Sequence, residues 1–250
     1  MLKKVFLLDI FGREYDWMDK YIANCNTLAK DGWEWLIITD QTNFEGRDNV
    51  KVISMTQDEL EYRIKVKLEM NVDLKEKRKI DGRAISEFHP AFGIIFEEFI
   101  LGYDFWGYTN NDVIYGRLSH FIPDEFLNNL DIFGNDPEQM NGIFSLLRNI
   151  PEVNNLFKEI PDWKGLLRGV HYTAFDEIII TKAVIKARAE GRLRVEFREW
   201  REGDRLYAGM RAMHQPKPQI KMEKNGALIN TVTGEEIMMF HFGGCKRWCL

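Results

Sequence analysis

Short apolar runs alternate with amphipathic stretches through the first half of the chain. Val5 to Leu8 is an apolar run of the kind a strand buried on both faces shows. From Asp16 to Lys30 the apolar positions Trp17, Tyr21, Ile22, Cys25 and Leu28 share one stripe, which predicts a helix, and Gly32 ends it. Trp35 to Thr39 and Val50 to Ile53 read as second and third strands. Thr56 with Glu59 three residues on is a capping box opening the next helix. A further helix is expected after Pro90, with Phe92, Ile95, Phe96, Phe99 and Ile100 on its apolar face, and Asp104 to Tyr108 is the fourth strand. Strands alternating with helices predict an α/β unit with a mostly parallel sheet.

The second half has a different rhythm. Phe175 to Glu190 predicts a helix. Val195 to Phe197, Gln219 to Met222, Leu228 to Val232 and Ile237 to His241 then read as short strands, and Asn225-Gly226 between two of them is a hairpin signal. These short strands are expected to form a mixed sheet edge covering the first unit, with a small antiparallel region near the C-terminus.

Composition narrows the class. The chain has 250 residues, 13% of them aromatic, which excludes global disorder. With 34 basic against 39 acidic residues the net charge is −5, which argues against a sequence-blind DNA coater. The run rich in Lys and Arg from Arg63 to Arg83 reads first as a solvated face. It and Lys186 to Arg205 are the stretches that would track a phosphate backbone were a nucleic acid bound. The 3 cysteines, Cys25, Cys245 and Cys249, form no paired framework and read as free thiols. No window reaches the ~18 apolar residues of a membrane span, and the apolar run after Lys4 is too short for a signal peptide. A soluble, cytoplasmic protein is expected.

Two stretches carry chemistry. Gly107 to Gly116 is a strand end followed by small polar residues with one acid, Asp112. Ligands of open α/β sheets bind at the carboxyl ends of strands. An acid there suits a Mg²⁺ or Mn²⁺ bridging to phosphate, and it suits equally an Asn-rich turn capping a strand. Near the C-terminus, His241 to Trp248 packs a His, two Gly, a Lys and a Trp into one octet. A His can ligate metal, glycines admit phosphate close to the backbone, and a Lys suits a diphosphate.

Here the chain resembles GT-A glycosyltransferases. Glu87-Phe88-His89-Pro90-Ala91-Phe92-Gly93 and Gly102-Tyr103-Asp104-Phe105-Trp106-Gly107-Tyr108 are similar to motifs of a bacterial and phage GT-A-like group, in which an Asp-x-Asp follows. His241-Phe-Gly-Gly-Cys-Lys-Arg-Trp248 is similar to the closing motif of glycosyltransferase family eight, one residue shorter. The resemblance implies one GT-A domain over residues 1–250, with a nucleotide-sugar-binding half (1–116) and an acceptor half (117–250) that ends in the metal and diphosphate motif. It implies a UDP-sugar donor and a divalent cation, Mn²⁺ or Mg²⁺, held by Asp112 and His241, with Lys246 and Gly244 on the diphosphate. Asn110 stands where the family has its first Asp, so the metal is expected to be weakly held or dispensable. His89 stands where the group has Lys, a donor contact that is neutral at pH 7.

The resemblance also places Asp9, Phe11 and Gly12 at the nucleotide base and ribose, with Asp40 as a further base contact. Asp40 serves equally well as a turn cap. Ala174-Phe175-Asp176-Glu177 is similar to the acceptor-facing segment, which makes Asp176 and Glu177 catalytic candidates and His171 and Tyr172 acceptor-pocket candidates. An acid at Asp176 is also a simple dipole partner at a helix start. Phe105 and Trp106 read as core; His120 and His214 read as structural or surface. The expected acceptor is a saccharide, with hydroxymethylated bases of phage DNA as the runner-up. A non-catalytic module that binds nucleotide or glycan is the competing class.

Overall fold

The computed structural model describes residues 1–12, 14–43, 45–198 and 220–242. Its centre is a seven-stranded sheet in the order β3-β2-β1-β4-β7-β6-β8. The strands are β1 (Lys4–Ile10), β2 (Trp33–Thr39), β3 (Val50–Ser54), β4 (Phe105–Thr109), β6 (Ile132–Gly134), β7 (Phe144–Arg148) and β8 (Val195–Phe197). β5 (Val113–Tyr115) lies outside this sheet and pairs elsewhere. β1, β2, β3 and β4 run parallel; β7 is antiparallel to both β4 and β6, and β8 joins β6 in parallel. The fold is mixed α/β.

Alternation along β1 and β2 splits the core into two layers. Val5, Leu7, Leu36 and Ile38 face one side, where they meet α2 (Gln57–Leu68), Phe88, Phe92 and Trp106. Phe6, Leu8, Trp35 and Ile37 face the other, against α1 (Met18–Asn26), Tyr115 and Phe144. Both faces of β1 are therefore apolar, as its unbroken run requires. Buried Lys4 is the exception, and it pairs with Asp124 at 2.7 Å. The capping box at Thr56 and Glu59 forms as expected, and α3 (Leu74–Ile80) starts on Asp73, whose carboxylate accepts the Glu76 N–H.

Several elements differ from expectation. α1 ends at Asn26 and a 3-10 turn, Ala29–Asp31, completes the stretch to Gly32. The segment after Pro90 is a 3-10 run, Ser86–Ala91, then one α-turn, Phe92–Ile95. Glu87 through Gly93 are all buried, so packing on every side replaces the single amphipathic face that a regular helix presents. The helix expected from Phe175 opens as a π-helix, Phe175–Ile179, before regular turns at Ile180–Ala189. Of the late strands, only β8 extends the main sheet. β9 (Ile220–Met222), β10 (Leu228–Asn230) and β11 (Glu236–Ile237) form a separate antiparallel sheet, and Asn225-Gly226 turns the β9–β10 hairpin. β12 (Met239–His241) pairs with β5. Cys25 is a buried free thiol, while Cys245, Cys249 and His214 lie outside the described residues. Among the described residues no helix is long and apolar enough to cross a membrane.

Candidate active site

The carboxyl ends of β1 and β4 open into a polar cleft of about 460 Å³. Asp9, Phe11 and Gly12 line it from β1, Asn110 and Asp112 from the turn after β4, and His89, Arg78 and Arg83 from the opposite wall. This is where an open α/β sheet places ligands. A larger cavity of about 640 Å³ lies between α1, β5 and the β9–β10 turn, walled by Trp17, Tyr21, Ile114 and Phe242, and contains none of these acids.

Strand pairing brings the predicted metal residues together. β12 lies against β5 with His241 opposite Val113, and the Phe242 N–H donates to the Asp112 carbonyl at 2.9 Å. His241 Nε2 then sits 3.1 Å from Asp112 Oδ1, across 129 positions of sequence. Asn110 is in the same turn, half-buried, and the turn is pinned where Trp17 Nε1 donates to the Asn111 carbonyl at 2.9 Å. A carboxylate, an imidazole and an amide oxygen are a donor set that Mn²⁺ or Mg²⁺ accepts. Among the described residues no three His, Cys, Asp or Glu side chains gather to hold a metal by themselves. Gly244 and Lys246 lie outside the described residues.

An acid–imidazole–acid array runs inward from the cleft, from Asp9 through His89 to buried Asp176. His89 Nε2 is 2.8 Å from Asp9 Oδ1, and its Nδ1 is 3.7 Å from Asp176 Oδ2. The ring stacks on Tyr108 and meets Phe92 edge-on, each at 5.0 Å between centroids. Burial works against its charged form, but the bond to Asp9 and the charges of Asp9, Asp176 and Glu177 outweigh it, so its pKa is raised. Burial pushes the Asp176 carboxyl up to about 6, against the pull of His89. Tyr172 OH donates to Asp176 Oδ1 at 3.1 Å, and Tyr108 OH donates to the Asp176 carbonyl at 3.1 Å. His89, expected as a donor contact, does line the cleft. Both ring nitrogens face carboxylates, which raise its pKa.

The other candidates are placed as follows. Asp40 accepts the Gly12 N–H through both carboxylate oxygens at 2.9 Å, which makes it the clasp of that turn. Gly12 has φ +62, and a Cβ there would meet the Arg78 guanidinium at 2.8 Å. The Phe11 side chain is in the core, while its carbonyl accepts Arg78 Nη2 at 2.5 Å. Asp176 and Glu177 stand behind His89 and do not line the cleft. Glu177 Oε1 accepts the Gly142 N–H at 3.1 Å, and a Cβ on Gly142 would lie 2.8 Å from Asp176 Oδ2. Tyr172 is half-buried beneath the Arg83 guanidinium, 3.9 Å over its ring, and His171 is exposed. Ala174 occupies the left-handed region at φ 56, and its carbonyl receives the N–H groups of Glu177, Ile178 and Ile179. A non-glycine residue there stores roughly 1–2 kcal/mol, and such strain clusters at working segments.

Sequence reasoning missed Arg78 and Arg83 as cleft residues, because both sit in a charge run that reads as solvated. Most of that run is neutralised inside the chain. Arg63, Lys67, Lys75, Lys79 and Arg83 each meet a carboxylate, and buried Lys77 pairs with buried Glu87 at 3.3 Å. Arg78 is different: its partners are the Phe11 carbonyl and the Gln57 side chain, both uncharged.

The chain matches, over residues 7–246, a family of unknown function, DUF6625, and belongs to it. No curated protein sequence matches. Among solved structures it is similar to the galactosyltransferase LgtC in complex with donor and acceptor sugar analogues, at 12% identity and a TM-score of 0.45, covering 97% of this chain and 87% of that one. It is also similar to S. aureus TarS 1-349 (13% identity, TM-score 0.41, covering 78% of this chain and 58% of that one). A third is mouse xyloside xylosyltransferase 1 (12% identity, TM-score 0.39, covering 78% and 77%).

Proposed function

We propose that the protein is a nucleotide-sugar-dependent glycosyltransferase with the GT-A arrangement, a single domain whose first 116 residues hold the donor. The observation that carries the reading is the Asp112–His241 pair, built by β5–β12 pairing, whose Asp112 lines the polar cleft together with Arg78 and Arg83. Asp112, His241 and the Asn110 amide would hold a divalent cation, which when bound supplies charge for a departing diphosphate. Arg78, whose partners are uncharged, adds fixed positive charge to the same space, and such preorganised charge is usually the largest contribution to catalysis. Asp9 and the Gly12 turn, clasped by Asp40, face the nucleoside end. Tyr172, Asp176 and Glu177 order the acceptor side. A UDP-sugar is the donor and a saccharide hydroxyl the acceptor.

Among the described residues of the basic stretches most charges are paired, which gives a phosphate backbone little to hold: besides those of 63–83, Lys186, Arg192, Arg194 and Arg198 each meet a carboxylate, while residues 199–205 lie outside the described part. Thermal unfolding with a panel of nucleotide sugars, each with Mn²⁺ and with chelator, tests the proposal. A ligand at 100 times its Kd stabilises by about 2.7 kcal/mol, and each kcal/mol moves Tm roughly 2–4 °C at this size. A shift with one UDP-sugar, followed by release of free nucleoside diphosphate, is expected. A shift without release supports a non-catalytic module, and no shift with any nucleotide refutes the reading.

A further inference from the structure

One side chain joins the cleft floor to the 170–179 segment. We propose that His89 is a positioning residue: gripped by Asp9 at one ring edge and facing Asp176 at the other, it couples occupancy of the cleft to the arrangement of the segment bearing Tyr172, Asp176 and Glu177.

Three observations converge on this. First, the grip is lopsided. The contact to Asp9 is a full hydrogen bond at 2.8 Å, whereas His89 Nδ1 is buried without a hydrogen-bond partner, 3.7 Å from Asp176 Oδ2. That separation exceeds hydrogen-bond range and leaves no room for a bridging water. A small approach of Asp176 satisfies the nitrogen, so a second arrangement lies close at hand. Second, the ring itself is fixed by the stack on Tyr108 and the edge of Phe92, so the approach must come from the Asp176 side. Third, that side is the irregular one: Ala174 is left-handed and Phe175–Ile179 is a π-turn, whereas β1 on the Asp9 side is a regular strand. π-turns of this kind are frequent at functional sites.

The charges around the ring give the coupling its direction. Asp9 faces it from β1, Tyr108 from β4, and Asp176 and Glu177 from the π-turn, with Tyr172 on Asp176 and Arg83 over Tyr172. On its own segment Glu87 turns away to Lys77 and Thr173. An anion entering the cleft adds to the negative potential at the ring and favours its doubly protonated form. That form donates from both nitrogens and draws Asp176 in. Deprotonated, the ring has no N–H to spare for both acids, and the link slackens.

The test has two arms, of which only the second rests on the proposed function. In the first, the His89 Cε1–H resonance is followed by pH titration in NMR, without ligand, and assigned by its loss in His89→Gln. Its midpoint is expected above that of free imidazole and lower in Asp176→Asn; an unchanged midpoint in Asp176→Asn overturns the link. In the second, UDP with Mg²⁺ is added and the amides of residues 172–178 are monitored. They are expected to shift in the unmodified chain and to lose most of that shift in His89→Gln while UDP still binds. An undiminished shift overturns the coupling. Absence of UDP binding in the unmodified chain refutes the donor reading instead and leaves the first arm to decide the link. Should His89→Gln fail to fold, Asp176→Asn, which keeps the ring, carries the second arm, and the Cε1–H is assigned by its contact with Tyr108.

Discussion

Replacing Asp176 with Asn removes a carboxylate that the fold holds at a cost. The side chain is buried, and burial raises its pKa from the ordinary 3.8 to about 6. The amide keeps the size of the group and an oxygen for the Tyr172 hydroxyl, so packing changes little. Well below pH 3.8, folded and unfolded chains both carry the protonated acid, and the variant gains nothing; at pH 4 the gain is still small. Between pH 4 and 6 the unfolded chain has released its proton and the folded chain has not. Stability therefore falls as pH rises through that window, and the full cost is present above pH 6. A displacement from 3.8 to about 6 corresponds to ~3 kcal/mol.

That figure is a ceiling, because His89 pulls the other way. Its raised pKa contributes stability below its unfolded value that is lost as pH rises through the folded value. Removing Asp176 forfeits part of that contribution while His89 is charged. The advantage of Asp176→Asn should therefore grow with pH and be largest near pH 8. Thermal melts of both proteins from pH 4 to 8.5 measure it. At roughly 2–4 °C per kcal/mol, the ceiling is ~6–12 °C in Tm at the alkaline end and small at pH 4. A Tm difference that stays constant with pH, or a variant that loses stability as pH rises relative to the unmodified chain, refutes the reasoning.

Other substitutions probe the rest of the frame. Asp112→Ala and His241→Ala should each lower release of nucleoside diphosphate from the UDP-sugar by at least ~10²-fold, with circular dichroism unchanged. Retained activity in both removes the donor-site assignment. Lys77→Met leaves Glu87 buried beside Thr173 without its cation, and should cost about 3–5 kcal/mol in urea unfolding. Adding Glu87→Gln should recover part of that loss, which separates the charge effect from lost packing.

The parallel half of the sheet was legible because each strand is an apolar run bracketed by helix signals that depend on near neighbours. Thr56 and Glu59 specify their cap within four positions. β6 and β7 were not legible. β7 reads Phe-Ser-Leu-Leu-Arg, and its place beside β4 is set by long-range pairing of Phe105 with Arg148 and Thr109 with Phe144. The π-turn was hidden for a related reason: Phe175 to Glu190 has ordinary helical spacing, and the irregular start follows the left-handed Ala174, whose carbonyl accepts three successive N–H groups. At the site, Asp112 and His241 stood out by residue type, and the β5–β12 ladder that joins them did not. Arg78 and Arg83 were masked by neighbours that carry the same charge and pair away in the fold.

The departure at Asn110 carries a test of its own. Under the proposed reading, this chain has an amide at 110 where the sequence resemblance expects an acid, two positions before Asp112 and in a cleft lined by Arg78 and Arg83. With Asn in place of Asp, Asp9 and Asp112 are the acids that line this cleft, against the uncompensated guanidinium of Arg78. If the proposed donor diphosphate brings the metal with it, the order is anion first. Asn110→Asp should reverse that order. A second carboxylate in the Asp112 turn raises affinity for a divalent cation, and at an effective dielectric near 20 a carboxylate 4 Å from the ion is worth about 4 kcal/mol per unit of the ion's charge before desolvation. Even a third of that surviving gives roughly tenfold tighter Mn²⁺ binding without nucleotide. Isothermal titration of Mn²⁺ into both proteins reads it directly. Equal affinities would mean that position 110 does not face the cation, and the Asp112–His241 site would then have to be redrawn without it.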